Sequence, residues 1–186
     1  AYHARRLQDS GARRQNPAAA NRYDWAEIRA YHEAGHSFVE CRVPFGFSGA
    51  SWWKDGFFYS RYPEPKAGTE LSGKNEFHSV YYHKLGTPQA DDRLVFATPD
   101  QPDHGHFATI SEDGDWLVIT SSIGTDDRYE VTLMDLRKPN AKPRKLIEGF
   151  TNNYSYVGNV GDTFYFATND GAPRLKLVAI DVAKAG

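Results

Sequence analysis

The chain has 186 residues, 40% of them hydrophobic and 14% aromatic, and a formal net charge of −2 at neutral pH. That length suits one domain, or one domain with an appendage, and the charge balance disfavours nucleic acid or an anionic membrane as partner. No apolar run approaches the roughly 18 residues of a membrane-spanning helix, and no secretory-type apolar stretch follows the N-terminal Arg residues. Cytoplasm is the default location, with a secreted or periplasmic parent whose signal has been removed as the alternative, and the single cysteine, Cys41, excludes an internal disulfide.

Residues 1–22 are rich in Arg, Ala, Gln and Asn and poor in large apolar side chains. Such a stretch buries too little surface to offset its ordering entropy and reads as a flexible arm. Residues 23–45 read as a helical segment. Asp24-Trp25-Ala26-Glu27 has the form of a capping box, and Ile28, Tyr31, Phe38 and Val39 fall near one helical stripe. Pro44 and Gly46 end the segment near Arg42. Within it His32-Glu33-Ala34-Gly35-His36 is a complete H-E-x-x-H. On a helix, residues four apart share a face, so His32 and His36 could bind one Zn²⁺, with Glu33 as general base for a metal-bound water. The same two-His pattern also arises by chance, and a catalytic site needs a third ligand. His104, His106 and Asp103 are the candidates, in a stretch that otherwise reads as a connection.

From Ser48 onward the helical period gives way to short strands and turns. An acidic residue and Gly form a turn, an aromatic strand follows, and a second strand ends near Asp or Gly. The three copies begin at Asp55-Gly56, Asp113-Gly114 and Gly161-Asp162. They are followed by Phe57-Phe58-Tyr59-Ser60, Trp116-Leu117-Val118-Ile119-Thr120 and Thr163-Phe164-Tyr165-Phe166-Ala167. The second strands begin at Val80, Val131 and Leu175, spaced by roughly 50 and then 45 residues, the period of a four-stranded propeller blade. Arg93 to Ala97 and Arg144 to Ile147 read as outer strands. The fold expected is mainly β: about three antiparallel four-stranded blades over 46–186, with an N-terminal α-helix. A β-sandwich of about ten strands is the alternative. His78 and His83 flank a strand and are expected at its surface. Trp52, Trp53 and Trp116 suit blade packing or, alternatively, a ligand groove.

Phe47-Ser48, Lys54-Asp55-Gly56-Phe57-Phe58-Tyr59, Tyr62-Pro63 and above all Tyr81-Tyr82-His83-Lys84-Leu85-Gly86-Thr87 carry a family likeness. So do Ser111-Glu112-Asp113-Gly114 and Phe164-Tyr165-Phe166-Ala167-Thr168-Asn169. With them, positions 46–186 resemble the propeller domain of the prolyl oligopeptidases, serine peptidases that cut short peptides after proline. The likeness stops near residue 45 and implies only the middle portion of the family's seven-bladed propeller. It implies no chemistry here, because the family's catalytic Ser lies in a G-x-S-x-G elbow of an α/β-hydrolase domain. Gly46-Phe47-Ser48-Gly49-Ala50 comes closest and lacks the last Gly.

What the resemblance implies is a lid that gates short peptides to such a hydrolase domain, its partner. The gating loop corresponds to Tyr62 to Phe77, with Tyr62, Lys66, Thr69 and Lys74 as candidate residues, and Met134 falls where the family has a side chain close to its substrate cavity, although by itself Met134 reads as ordinary strand packing. Locally, Ala30 to His36 also resembles the motif of the FtsH-type zinc peptidases, which implies roles for His32, Glu33 and His36 alone. A zinc peptidase and a non-catalytic peptide-binding scaffold are therefore the alternative functions. Open blade edges imply self-association.

Overall fold

The computed structural model describes residues 25–31, 38–44, 49–64 and 74–184, the first two stretches as backbone. Strands β1 (Trp25–Tyr31) and β2 (Phe38–Pro44) pair antiparallel, from Trp25 opposite Pro44 to Tyr31 opposite Phe38. The helix expected across these residues is not formed. Its apolar stripe is also a period-two pattern: Ala26, Ile28 and Ala30 alternate with Glu27 and Arg29, and Val39, Cys41 and Val43 with Glu40 and Arg42. The register sets Ile28 opposite Cys41, Glu27 opposite Arg42 and Arg29 opposite Glu40. The register thus sets apolar positions opposite apolar ones and opposite charges opposite each other, a choice helical periodicity does not reward. The arm at 1–22, the cap at Asp24 and the H-E-A-G-H run lie outside the described residues.

Three antiparallel meanders follow. The first blade is β3 (Ser51–Trp53), β4 (Gly56–Arg61), β5 (Ser79–Lys84) and β6 (Arg93–Phe96). The second is β7 (His104–Ile110), β8 (Trp116–Ile123), β9 (Glu130–Asp135) and β10 (Arg144–Ile147). The third has three strands, β11 (Tyr154–Val160), β12 (Thr163–Thr168) and β13 (Lys176–Asp181). The mainly β architecture of nearly three blades is as the repeat indicated. A sandwich is excluded by three small sheets stacked in series, the second packed against one neighbour on each face.

The acidic-turn repeat has a single structural meaning. In each blade a backbone N–H just past the third strand donates to a carbonyl of the acidic turn: Leu85 to Asp55 at 2.9 Å, Leu136 to Asp115 at 2.8 Å and Val182 to Asp162 at 2.9 Å. Gly114 adopts φ +78°, a conformation that glycine enters without the steric cost of a Cβ. Gly56 is fixed by crowding instead, since a Cβ there would lie 2.0 Å from the His83 carbonyl oxygen. The Asp113 carboxylate accepts from Ser111 Oγ and from the Asp115 N–H, the local bonding that makes Asp a turn former.

β8 is apolar on both faces because both are covered, as in a central layer. Leu117 and Ile119 meet Phe58, Val80 and Met134 between the first two blades. Trp116 and Val118 meet Phe164 and Phe166 between the second and third. Polar bridges at the turn end stitch the same interfaces: Trp53 Nε1–H donates to the Gly114 carbonyl (3.1 Å), and Asn159 Nδ2–H to Asp113 Oδ2 (2.9 Å). Arg137 reaches Asp162 at 3.1 Å, also across the second interface.

If inter-blade packing holds the molecule together, Phe164→Ala will cost about 3–5 kcal/mol in urea unfolding, through lost burial and the cavity left. Leu177, 64% exposed on the far side of the third blade, will cost about 0.5 kcal/mol or less when changed to Ala.

Candidate functional site

Because successive strands reverse direction, the acidic turns share one end of the blades. The connections after β4, β6, β8, β10 and β12 share the other. At this connection end, between the second and third blades, lies a groove of about 450 Å³. Its walls come from Phe107 and Thr109 of β7, Thr120 and Ser122 of β8, and Ser155 and Tyr156 of β11. Its lip is Gly124, Thr125, Asp126 and Tyr129 from the β8–β9 connection.

The groove has a simple origin in β8. The row facing the third blade runs Trp116, Val118, Thr120, Ser122, turning from apolar to hydroxyl as it nears the connection end. Where the row becomes polar, close packing against the third blade stops and a cleft opens. The one carboxylate of the lining, Asp126, is clamped by Arg128, whose side-chain and backbone hydrogen bonds hold its pKa down at about 2. Tyr156 is pushed up to about 12 by burial, with Asp113 and Glu112 adding to the effect, and its hydroxyl donates to Asn159 Oδ1. Aromatic faces with hydroxyl groups and no uncompensated charge suit an uncharged, hydrogen-bonding ligand such as a peptide main chain.

The interface between the first and second blades ends differently. Its β8 row continues from Leu117 and Ile119 to Ser121, and here histidines fill the space. His78 and His83 are 3% and 0% exposed, so both are interior rather than on the strand surface. On the other face of the first blade, beside Phe57, His83 Nδ1 lies 2.6 Å from Asp92 Oδ1, and Asp92 also accepts from Tyr59, whose hydroxyl accepts in turn from Gln89. Burial, and then the Asp92 carboxylate, raise the Tyr59 pKa. With both side chains fully enclosed, this His–Asp pair ties β4 and β5 to the segment before β6 and is out of reach of a substrate.

Of the candidates named from sequence, those among the described residues, Tyr62, Lys74 and Met134, do not converge on one site. Tyr62 is half-buried, its ring 4.4 Å from that of His78, and burial raises its pKa. Lys74 is exposed at the far side of the same connection. Lys66 and Thr69, like His32, Glu33 and His36, lie outside the described residues. Met134 is 7% exposed and packs with Phe58, Val80, Leu117 and Ile119 rather than lining the groove. Trp52, Trp53 and Trp116 serve blade packing. The groove residues carried no distinguishing signal, since Gly124-Thr125-Asp126 has the composition of an ordinary turn. The change of the β8 row from apolar to hydroxyl was the one visible clue. Among the described residues no group of three metal-ligating side chains comes together. His104 and His106 point into the inter-blade filling, with His106 held by Ser121 and Thr98.

Stacked four-stranded meanders with their connections gathered at one end define a propeller module. Residues 20–186 match the profile of the prolyl oligopeptidase N-terminal β-propeller domain. The chain is 39% identical over 158 residues to a prolyl endopeptidase of Elizabethkingia miricola, covering 83% of this chain and 22% of that protein. It is 35% identical over 151 residues to prolyl oligopeptidase A of Amanita bisporigera, covering 74% and 19%. Among solved structures, one from an analysis of two prolyl endopeptidases aligns over 87% of this chain and 23% of that one, at TM-score 0.74 and 35% identity. Prolyl oligopeptidase B from Galerina marginata, bound to a 35mer hydrolysis and macrocyclization substrate, aligns over 87% and 24%, at TM-score 0.73 and 26% identity. The chain belongs to the prolyl oligopeptidase family, within its N-terminal propeller domain, and spans about a fifth of the length of these curated relatives.

The family match begins at residue 20, not near 45, so it takes in the β1–β2 hairpin and the H-E-A-G-H run that joins its strands. The motif's helical scaffold is absent from its flanks, where Tyr31 is paired with Phe38. Metal analysis of the purified chain is therefore expected to show no stoichiometric zinc. One equivalent of zinc, lost in His36→Ala, would overturn that expectation.

Proposed function

We propose that this chain is a non-catalytic part of a prolyl oligopeptidase-like serine peptidase, governing how short peptides reach an α/β-hydrolase domain. The observation that carries the reading is the groove between the second and third blades. It opens at the same end as the β4–β5 connection and is lined with aromatic and hydroxyl side chains. A peptide in extended form presents unpaired N–H and C=O groups, which hydroxyls of Thr120, Ser122 and Thr125 can meet, while Phe107 and Tyr156 offer apolar walls. Tyr62, Lys66, Thr69 and Lys74 belong to the gating connection in this reading, and the hydrolase domain lies over the connection end. The third blade turns Val160 and Leu177 outward, 73% and 64% exposed, a surface suited to self-association of this chain on its own.

The test is a titration of a short proline-containing peptide into isotopically labelled chain. Amide shifts are expected at Thr125, Tyr129 and Ser155, with affinity falling about tenfold in Tyr156→Ala, the cost of one lost aromatic wall. Shifts confined to the first blade, or none, would overturn the groove as the peptide site. Capture of a family hydrolase domain added in trans separates the gating role from that of a bare peptide-binding scaffold.

A further inference from the structure

β7 is the inner edge strand of the second blade, paired with β8 on one side. Its other edge presents the N–H and C=O groups of His106, Ala108 and Ile110, which need partners if they are to be buried. The first blade supplies them with side chains. Ser51 Oγ donates to the Ala108 carbonyl at 3.2 Å and accepts from the Ile110 N–H at 3.4 Å. At the opposite end of the strand the His106 N–H donates to His78 Nδ1 at 2.9 Å. His78 stands two residues from Glu76 and one before β5, and the backbone beside it is pinned as well. The Phe77 N–H donates to the Pro102 carbonyl at 2.8 Å, with Phe77 held at φ +64°.

We propose that His78 is a proton-sensitive clasp between the first and second blades: its neutral ring caps the inner edge of β7, and protonating that ring detaches it. An imidazole can accept at Nδ1 only while that nitrogen is bare, so the bond to His106 fixes the tautomer with hydrogen on Nε2. Adding a proton at Nδ1 turns an acceptor into a donor facing a donor, 2.9 Å away. Among the described residues, the ring's surroundings give the cation no compensation. Tyr62 lies against it from the β4–β5 connection, and Phe107 from β7 lies 5.6 Å away. Beyond stand the His106 and His104 rings, and the Glu130 carboxylate is already paired with Lys145 at 2.7 Å. His106 has both nitrogens within 2.9 Å of hydroxyl oxygens, of Ser121 and Thr98, which can serve a neutral ring as one donor and one acceptor.

Burial holds both rings at about 4, below the ordinary value of 6.5, with the neighbouring histidines adding to the depression at His106. A detached His78 takes up its proton at the ordinary value. The clasp is therefore at full strength above that value and weakens as pH falls from 6.5 toward 4. The groove wall Phe107 follows His106 directly and touches the His78 ring, so the clasp stands beside the proposed peptide site but does not depend on that assignment.

The test is hydrogen exchange of the His106 amide in the full chain, corrected for its intrinsic rate. Protection is expected to fall about tenfold or more between about pH 7.5 and pH 5. In His78→Asn, whose side-chain oxygen can accept the same bond but does not titrate, protection should stay level across that range. In His78→Phe, which keeps a ring against Tyr62 without an acceptor, it should be low at both pH values. An equal fall in His78→Asn would assign the titration to another group, and no fall in the native chain would show no clasp; either overturns the proposal. So would β12 amides losing protection in step with His106, which would mean general acid unfolding.

Discussion

The structure depends on one constraint: β8 must be apolar on both faces. Leu117 and Ile119 belong to the first interface and Trp116 and Val118 to the second, so the same four-residue run holds two blades to a third. A sheet covered on both sides has no solvent face to specify its register, yet here register is fixed by the corners. The bond from Leu136 N–H to the Asp115 carbonyl and its equivalents in the other blades lock the turn-end register of each meander. The acidic repeat thus fixes alignment and the apolar runs supply cohesion.

From these two features the blades were legible in the sequence. The repeats at Asp55-Gly56, Asp113-Gly114 and Gly161-Asp162 are short-range signals, in which turn chemistry and strand alternation agree, and the structure keeps them. The segment at 25–44 was not legible in the same way. Four apolar residues on a helical stripe and a well-formed capping pattern outweighed a period-two alternation that is equally present. What decides between them is pairing: Glu27 opposite Arg42 and Arg29 opposite Glu40 can be seen only once the two halves are laid antiparallel.

The candidate site was less legible still. Buried polar residues do not announce themselves by period. His78 and His83 border a strand rich in Tyr and look like surface residues until the neighbouring blade and the Gln89–Asp91 turn close over them. The groove is equally silent, since its lip is a turn like any other and its walls are the polar ends of strands whose middles form the core. Met134 packs with Phe58, Val80, Leu117 and Ile119, as its place in a strand by itself suggests.

The two interfaces of the second blade invite comparison because they begin alike and end differently. Both are apolar in the middle of β8 and both turn polar toward the connection end. In one, the polar residue Ser121 meets His106, and His78 from the first blade completes the filling. In the other, Thr120 and Ser122 meet no such partner among the described residues, and the space remains as a groove. Polar groups buried at a closed interface must be satisfied by protein, which costs freedom of composition; those lining an open cleft can be satisfied by water or by a ligand. The closed interface is therefore where substitutions damage the fold, and the open one is where they can alter recognition while the apolar row beneath keeps the blades together.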